Sequence, residues 1–261
     1  MYRSIIAFSC ENPLLAILDR VGACGILPPP GRTPGGIHPL PPHGPPLDES
    51  ALRQQLVDAT RASVRAGLNR GTSGNLSVRL PGGFLITPTG IPCDALTTAD
   101  VVRLDARGVA APGQLKPSSE WRFHCDIYAH RPQVGAIVHT HSRYASALAC
   151  QRRELPAFHY MVAAAGGDNV RCADYATFGT AQLSANALAA LEGRHACLLA
   201  NHGVIATGTH LASALALAEE IESLSGQYCA ALATGEPVLL DAAEMARVLA
   251  RFESYGKQDS H

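Results

Sequence analysis

The chain has 261 residues, of which 47% are hydrophobic and 16% charged, the proportions of a globular protein with a sizeable core. No apolar run approaches the roughly 18 residues that a membrane helix needs. A formal net charge of -1, without a run of Lys or Arg, indicates neither a nucleic-acid partner nor a membrane partner. Because the eight cysteines are scattered, without a CxxC pair, we expect reduced thiols in a cytoplasmic enzyme that acts on a small molecule.

The first part of the chain is rich in proline. Residues 27–46 contain nine of the eighteen prolines, and proline lacks the N–H donor and fixes φ. This stretch therefore cannot form a helix or a central strand. We predict that residues 1–46 form a proline-rich, flexible N-terminal extension and that residues 47–261 form one domain. An arm that packs on a neighbour and a segment upstream of the true start remain open as alternatives.

Helical and strand patterns follow in chain order. Asp48 is a plausible N-cap for a helix that ends near Gly67, and two alternating segments around Pro81-Gly82-Gly83 predict a hairpin. The other predicted elements are a helix from Pro117, a strand 135–141, a helix 181–191, strands 195–201 and 204–207, and helices 210–232 and 241–252. Neighbouring strands with helices on both sides predict a single layered α/β domain.

A candidate metal site lies at the end of one predicted strand. His139 and His141 are two residues apart, so both imidazoles face the same side of that strand and can reach one ion. Neutral imidazole suits Zn²⁺, but a site needs at least a third ligand. His202, in a predicted turn, is one candidate. The pair Glu120 and His124, four residues apart on one helix face, is the other, and spacing leaves both open.

Three loops have the composition of an anion site. They span residues 71–75, 87–90 and 116–119, and each combines small or hydroxyl-bearing residues with an exposed backbone. The first precedes a strand, the second follows one, and the third opens the predicted helix from Pro117. Backbone N–H groups in such loops and at helix N-termini bind phosphate. Together with the metal site they indicate a phosphorylated substrate.

Seven segments, in this order, resemble the class II aldolase/adducin family. They are GTSGNLSVR (71–79), LITPTGIP (85–92), KPSSEWRFH (116–124), VHTH (138–141), FHYMVAAAGG (158–167), YATFGT (175–180) and NHGVIA (201–206). The resemblance covers about residues 48–257. It implies a three-layer α/β/α domain with a mostly antiparallel central sheet, which makes residues 47–261 the catalytic domain. It also implies a homotetramer with active sites at the subunit interfaces.

The resemblance also implies the roles of individual residues. The zinc ligands, one ion per subunit, are Glu120, His139, His141 and His202, which leaves His124 as a helix residue. The phosphate-binding residues are Thr72, Asn75, Thr89, Gly90, Ser118 and Ser119. Glu120 acts as general acid/base, Tyr160 from a neighbouring subunit handles the proton of the aldehyde oxygen, and Tyr255 in the C-terminal tail closes over the site.

The resemblance implies a zinc-dependent aldehyde-lyase that splits a ketose 1-phosphate, such as L-fuculose 1-phosphate, into dihydroxyacetone phosphate and an aldehyde. Relatives with this fold instead act as pentulose-phosphate 4-epimerases, methylthioribulose-1-phosphate dehydratases or sugar-acid phosphate decarboxylases. Glu120 favours the aldolase branch, because the epimerases have Asp there, whereas Ser142-Arg143-Tyr144 resembles the epimerases. A non-catalytic adducin-like module is the remaining alternative, and the absence of an HExxH helix argues against a zinc hydrolase.

Overall fold

The computed structural model describes residues 48–252, so the predicted extension 1–46 and Tyr255 lie outside the described residues. Within that range the helices are α1 (Glu49–Arg65), α2 (Trp121–His130), α3 (Arg143–Cys150), α4 (Ala181–Ala190), α5 (Leu211–Thr234) and α6 (Ala242–Phe252), with a short 3-10 helix at Tyr160–Ala165. The strands are β1 (Asn75–Leu80), β2 (Gly83–Ile86), β3 (Val102–Asp105), β4 (Ala136–Thr140), β5 (Cys172–Ala173), β6 (Ala196–Leu199) and β7 (Gly203–Gly208).

The seven strands form one sheet in the order β3-β2-β1-β4-β7-β6-β5. Every neighbouring pair is antiparallel except β5 and β6, which are parallel. The predicted mostly antiparallel central sheet is therefore confirmed. Strand β4 lies at the centre, between β1 and β7, and all five of its residues are buried.

Helices cover both faces of the sheet. On β4, Ala136 and Val138 belong to the core under α1, α3 and α5, whereas Ile137 belongs to the core under α2 and α4. The sequence of a strand that is buried on both faces is continuously apolar and does not alternate between apolar and polar residues. This arrangement confirms the predicted three-layer α/β domain.

Most predicted elements are confirmed to within about three residues. Asp48 caps α1 through a hydrogen bond from the backbone N–H of Ser50, and Asp241 accepts one from Glu244 where α6 begins. The prediction for α2 was wrong in one respect. This helix begins at Trp121 rather than near Pro117, so Glu120 is its N-cap residue and does not lie in its first turn.

The physical reason lies in the segment before α2. Ser118 donates its backbone N–H to the carbonyl oxygen of Thr87, and Thr89 donates its own to that of Lys116. These bonds hold the segment as an extended bridge, so its N–H groups cannot enter a helical turn. The segment 116–119 is consequently a loop, and it is held against the loop 87–90 that follows β2.

Two further predictions concern membrane-spanning helices and the oxidation state of the cysteines. No helix within residues 48–252 is long and apolar enough to cross a membrane. The cysteines of the described range are free thiols, in agreement with the expected absence of a disulfide scaffold there.

Candidate metal centre

Four side chains from three parts of the fold meet at one end of the sheet. His139 and His141 come from the end of β4, His202 from the turn between β6 and β7, and Glu120 from the loop before α2. One ligand atom of each lies within 4.8 Å of the others. His124 is not in this cluster, so the structure joins His202, one of the candidates that spacing left open, with Glu120 alone from the rival pair.

His139 is held by its neighbour strand. It is fully buried, and its Nδ1 lies 2.9 Å from the carbonyl oxygen of Val204 on β7. Because a carbonyl only accepts hydrogen bonds, Nδ1 carries a proton, and Nε2 is the ring nitrogen turned toward the cluster. That Nε2 lies 3.0 Å from Nε2 of His141, so the two rings present their nitrogens to a common point.

His202 reaches the cluster through a tight turn. Asn201 adopts a positive φ of 55°, a conformation that asparagine tolerates better than most residues. At Gly203 a Cβ atom would lie 2.3 Å from the carbonyl oxygen of Thr140, so only glycine allows β7 to approach β4 this closely. The turn therefore carries His202 to the end of β4.

Glu120 completes the cluster from a buried position, with a residue exposure of 6%. Its Oε2 lies 3.2 Å from Nε2 of His139, and its Oε1 lies 3.2 Å from Nε2 of His202. Within the described part of the chain, buried Oε1 accepts no hydrogen bond. A carboxylate oxygen left this way is costly unless a cation or another donor meets it.

The charge states of these groups suit a metal. Burial, followed by the neighbouring His139, lowers the pKa of both His141 and His202 to about 4, so both rings are neutral at pH 7. Burial alone would raise the pKa of Glu120, but His139, His202 and the Asn75 amide outweigh it and hold that pKa below its usual value. Glu120 is therefore an anion beside the neutral rings of His141 and His202.

This donor set fits a zinc ion. Zinc takes four nitrogen, sulfur or oxygen ligands, with bonds of about 2.0–2.2 Å to histidine and carboxylate. Ligand atoms of a tetrahedron with such bonds are about 3.3 Å apart. The cluster has separations of 3.0 and 3.2 Å between its facing atoms. Three imidazole nitrogens and one carboxylate thus form a site of suitable composition and size.

A cleft of about 380 Å³ opens beside the cluster. Of the residues assigned to phosphate by resemblance, those that line it are Thr72, Asn75, Thr89, Ser118 and Ser119. Gly90 is exposed on the same loop as Thr89 but does not line the cleft. The cleft also includes Tyr175 and Phe178, to which sequence reasoning gave no role. The sequence feature that could have identified them is the segment YATFGT (175–180), in which two aromatic residues precede a glycine.

Of the two predicted tyrosines, the structure describes only Tyr160. Tyr160, at the start of the 3-10 helix, is 46% exposed and lines a different cavity with residues of α6, such as Arg247 and Val248. Within one protomer it does not line the cleft beside the metal cluster. Tyr255 falls outside the described residues, so its predicted role has no structural account here.

Comparison with known proteins agrees with this geometry. A family model described as "Class II Aldolase and Adducin N-terminal domain" matches residues 54–229. A 5-methylthioribulose-1-phosphate/5-deoxyribulose-1-phosphate aldolase of Rhodospirillum rubrum is 56% identical over 206 residues, covering 79% of this chain and 93% of that protein. The L-fuculose phosphate aldolase of Escherichia coli K12 is 46% identical over 211 residues, covering 80% and 98%.

Solved structures give the same result. An L-fuculose 1-phosphate aldolase superposes with a TM-score of 0.76 at 43% identity, covering 78% of this chain and 97% of the other. The Thermus thermophilus enzyme of the same name has a TM-score of 0.62 at 28% identity and covers 72% and 98%. The chain belongs to the class II aldolase and adducin family and is a class II aldolase of its fuculose-phosphate and methylthioribulose-phosphate type.

Proposed function

We propose that this chain is a zinc-dependent aldolase that cleaves a ketose 1-phosphate reversibly into dihydroxyacetone phosphate and an aldehyde. The observation that carries this proposal is the convergence of Glu120, His139, His141 and His202 on one point at the edge of a cleft. Three loops of small and hydroxyl-bearing residues border the same cleft, where a phosphate group would be bound.

The four clustered side chains would hold the zinc ion, and the bound ion would supply Lewis-acid stabilisation of the negative charge that develops when the carbon–carbon bond breaks. Thr72, Asn75, Thr89, Ser118 and Ser119, with Gly90 beside them, would bind the substrate phosphate through backbone and side-chain donors. This fixes the reacting carbons relative to the cluster, which converts binding energy into orientation.

Glu120 would move the proton at the reacting carbon. Its carboxylate is ionised at neutral pH and lies on the cleft wall, so it can accept a proton in one direction and return it in the other. We propose that Tyr160 of a neighbouring subunit completes the site in a homotetramer, because that tyrosine is exposed and does not line the cleft of its own protomer. Tyr255 and the cytoplasmic location stay predictions.

The names of two relatives indicate which ketose 1-phosphates to expect as substrates. The relative at 56% identity is named for 5-methylthioribulose and 5-deoxyribulose 1-phosphates, whereas that at 46% is named for L-fuculose phosphate. We therefore expect the 5-substituted pentulose phosphates to react faster than L-fuculose 1-phosphate, with rhamnulose and ribulose 1-phosphates as further members of the panel.

A coupled assay for dihydroxyacetone phosphate on zinc-loaded protein tests this proposal. The expected result is formation of this product from at least one sugar, and the ratio of kcat/KM values identifies the preferred one. Zinc-loaded protein that releases no dihydroxyacetone phosphate from any sugar of the panel would refute aldol cleavage. Assays for 4-epimerisation, dehydration and decarboxylation of the corresponding phosphates would then identify the reaction.

The domain boundary leads to a further prediction. We propose that residues 47–261 form the catalytic domain and that residues 1–46 take no part in the chemistry, because the domain supplies a metal cluster and a cleft from residues between 72 and 202. A protein shortened to residues 47–261 should keep kcat/KM within about twofold of the full chain. Light scattering should give four chains for both proteins, and a changed assembly or a lost activity would assign a role to the extension.

A further inference from the structure

A row of buried polar side chains runs from the candidate metal centre into the protein. It consists of Asn75 and Ser77 on β1 with His124 and Tyr128 on α2, and we call these four residues the polar seam. Each of them is at most 6% exposed. Buried polar groups are costly unless they are hydrogen-bonded. Apart from the phosphate contact expected of Asn75, the proposed reaction assigns them no role.

The seam forms because strand and helix repeats match. Residues two apart on a strand are about 6.6 Å apart on one face. Residues four apart on a helix are about 6.0 Å apart on one face. Asn75 and Ser77 therefore lie opposite Glu120, His124 and Tyr128, and the side chains of the strand alternate with those of the facing segment along the row.

The contacts are short and continuous. Asn75 Nδ2 lies 2.9 Å from Glu120 Oε2, and Asn75 Oδ1 lies 2.5 Å from His124 Nε2. The other nitrogen of that ring, Nδ1, lies 2.7 Å from Ser77 Oγ. Ser77 Oγ lies 2.8 Å from the hydroxyl oxygen of Tyr128. Five side chains are thus linked without an intervening backbone group.

The carboxylate fixes the direction of every bond in this row. Ionised Glu120 only accepts, so Asn75 must turn its N–H to Oε2 and its carbonyl oxygen to His124. His124 must then carry its proton on Nε2. A fully buried histidine is neutral, and burial lowers the pKa of His124 to about 3, so Nδ1 has a lone pair. Ser77 consequently donates to Nδ1.

The last bond follows in the same way. Since Ser77 donates its hydroxyl hydrogen to His124, the Ser77 oxygen accepts a hydrogen bond from the hydroxyl group of Tyr128. Burial raises the pKa of Tyr128, so this phenol keeps its proton. All bonds of the seam therefore point toward Glu120, and the orientation of the Asn75 amide is supported from both sides, by the Glu120 carboxylate and by the Nε2–H of His124.

We propose that His124 is a positioning residue, whose Nε2–H holds the Asn75 amide with its N–H toward Glu120 Oε2 and thereby orients the carboxylate that faces the metal site. Without this donor the amide can rotate by half a turn and place its oxygen against Oε2, where two acceptors repel each other. The inference rests on the proposed role of Glu120 and extends it.

Two amide variants separate positioning from packing. The Gln side chain of His124→Gln can place an N–H where Nε2 was, whereas that of His124→Asn is too short to reach Asn75 and can only replace Nδ1. Both substitutions remove the imidazole ring, and both lose a similar amount of its buried packing. We expect His124→Asn to lower kcat by about 10–100-fold, the usual effect of losing a partner that orients a metal ligand, and His124→Gln to stay within about threefold.

The second measurement is the visible absorption spectrum of the protein loaded with Co²⁺ alone. The spectrum reports how Glu120 is oriented at the ion and needs no turnover. We expect shifted bands in His124→Asn and bands like the wild type in His124→Gln. As a control, Thr60→Val removes a buried hydroxyl whose hydrogen bond stays within α1, and it should change neither kcat nor the spectrum.

Equal kcat values and equal spectra in the two amide variants would overturn the proposal. If wild-type protein binds Co²⁺ but cleaves no ketose 1-phosphate, the proposed function fails, yet the spectra still decide the role of His124. Should neither amide variant fold, Ser77→Ala serves instead. It leaves His124 in place but removes the donor to Nδ1, and an unchanged Co²⁺ spectrum in that variant would contradict the seam.

Discussion

Glu120→Gln is expected to lower kcat by about 10²–10⁴-fold, the usual contribution of a general acid/base. The side chain stays the same size and remains on the wall of the cleft, but an amide cannot take up and return the proton of the reacting carbon. The same substitution also places an amide beside His139 and His202, where the carboxylate oxygens now lie at 3.2 Å. Metal content must therefore be measured on every preparation used for kinetics.

The control for this variant is Glu219→Gln, because Glu219 is exposed on α5, away from the cleft. This change should leave both kcat and metal content at the wild-type level. Glu120→Gln protein with full metal content and a kcat within tenfold of wild type would show that Glu120 is not the acid/base. The proton transfer would then have to be assigned to another group that reaches the cleft.

His141→Ala is expected to weaken zinc binding by more than about 100-fold, because loss of a partner behind a ligand already costs about 10–100-fold. His141 is the most exposed member of the cluster and lines the cleft, so its truncation removes a ligand atom with little loss of core packing. Metal analysis after dialysis, with chelator competition for the affinity, measures the effect.

His130→Ala provides the matched control, since His130 is exposed at the last turn of α2 and belongs to neither the cluster nor the cleft. Its zinc content should equal that of the wild type. Full zinc occupancy in His141→Ala at wild-type affinity would show that the proposed ligand set is wrong. Normal folding of both variants, measured by thermal unfolding, excludes a global effect.

Part of this architecture was predictable because it depends on local rules. The start of α1 follows from the capping carboxylate of Asp48 and the helical spacing after it. The hairpin of β1 and β2 follows from alternation on either side of Pro81-Gly82-Gly83. The pair His139 and His141 follows from the period of two on a strand, which places both rings on one side.

Short or strongly nonlocal elements escaped prediction. The strand β3 has four residues and exists because it pairs with the edge of β2, and β5 has two residues held by β6. The helix α3 follows directly after the metal-site strand. The first backbone N–H groups of α3 donate hydrogen bonds to the carboxylate of Glu222 on α5. A partner this distant in the chain leaves no local signal for a helix start.

The sequence by itself determined the chemistry of this protein, because residue types and their order define the donors, the hydroxyl-rich loops and the family. Residue spacing left open which donors meet, and the tertiary structure shows why Glu120 rather than His124 joins the histidines. Glu120 and His124 lie four residues apart and looked equivalent, yet Glu120 turns to the histidine cluster while His124 is enclosed between Asn75 and Ser77. The reason is physical: a ligand set is a matter of distance, and the pairing of β4 with β1 and β7 brings remote residues within 4.8 Å.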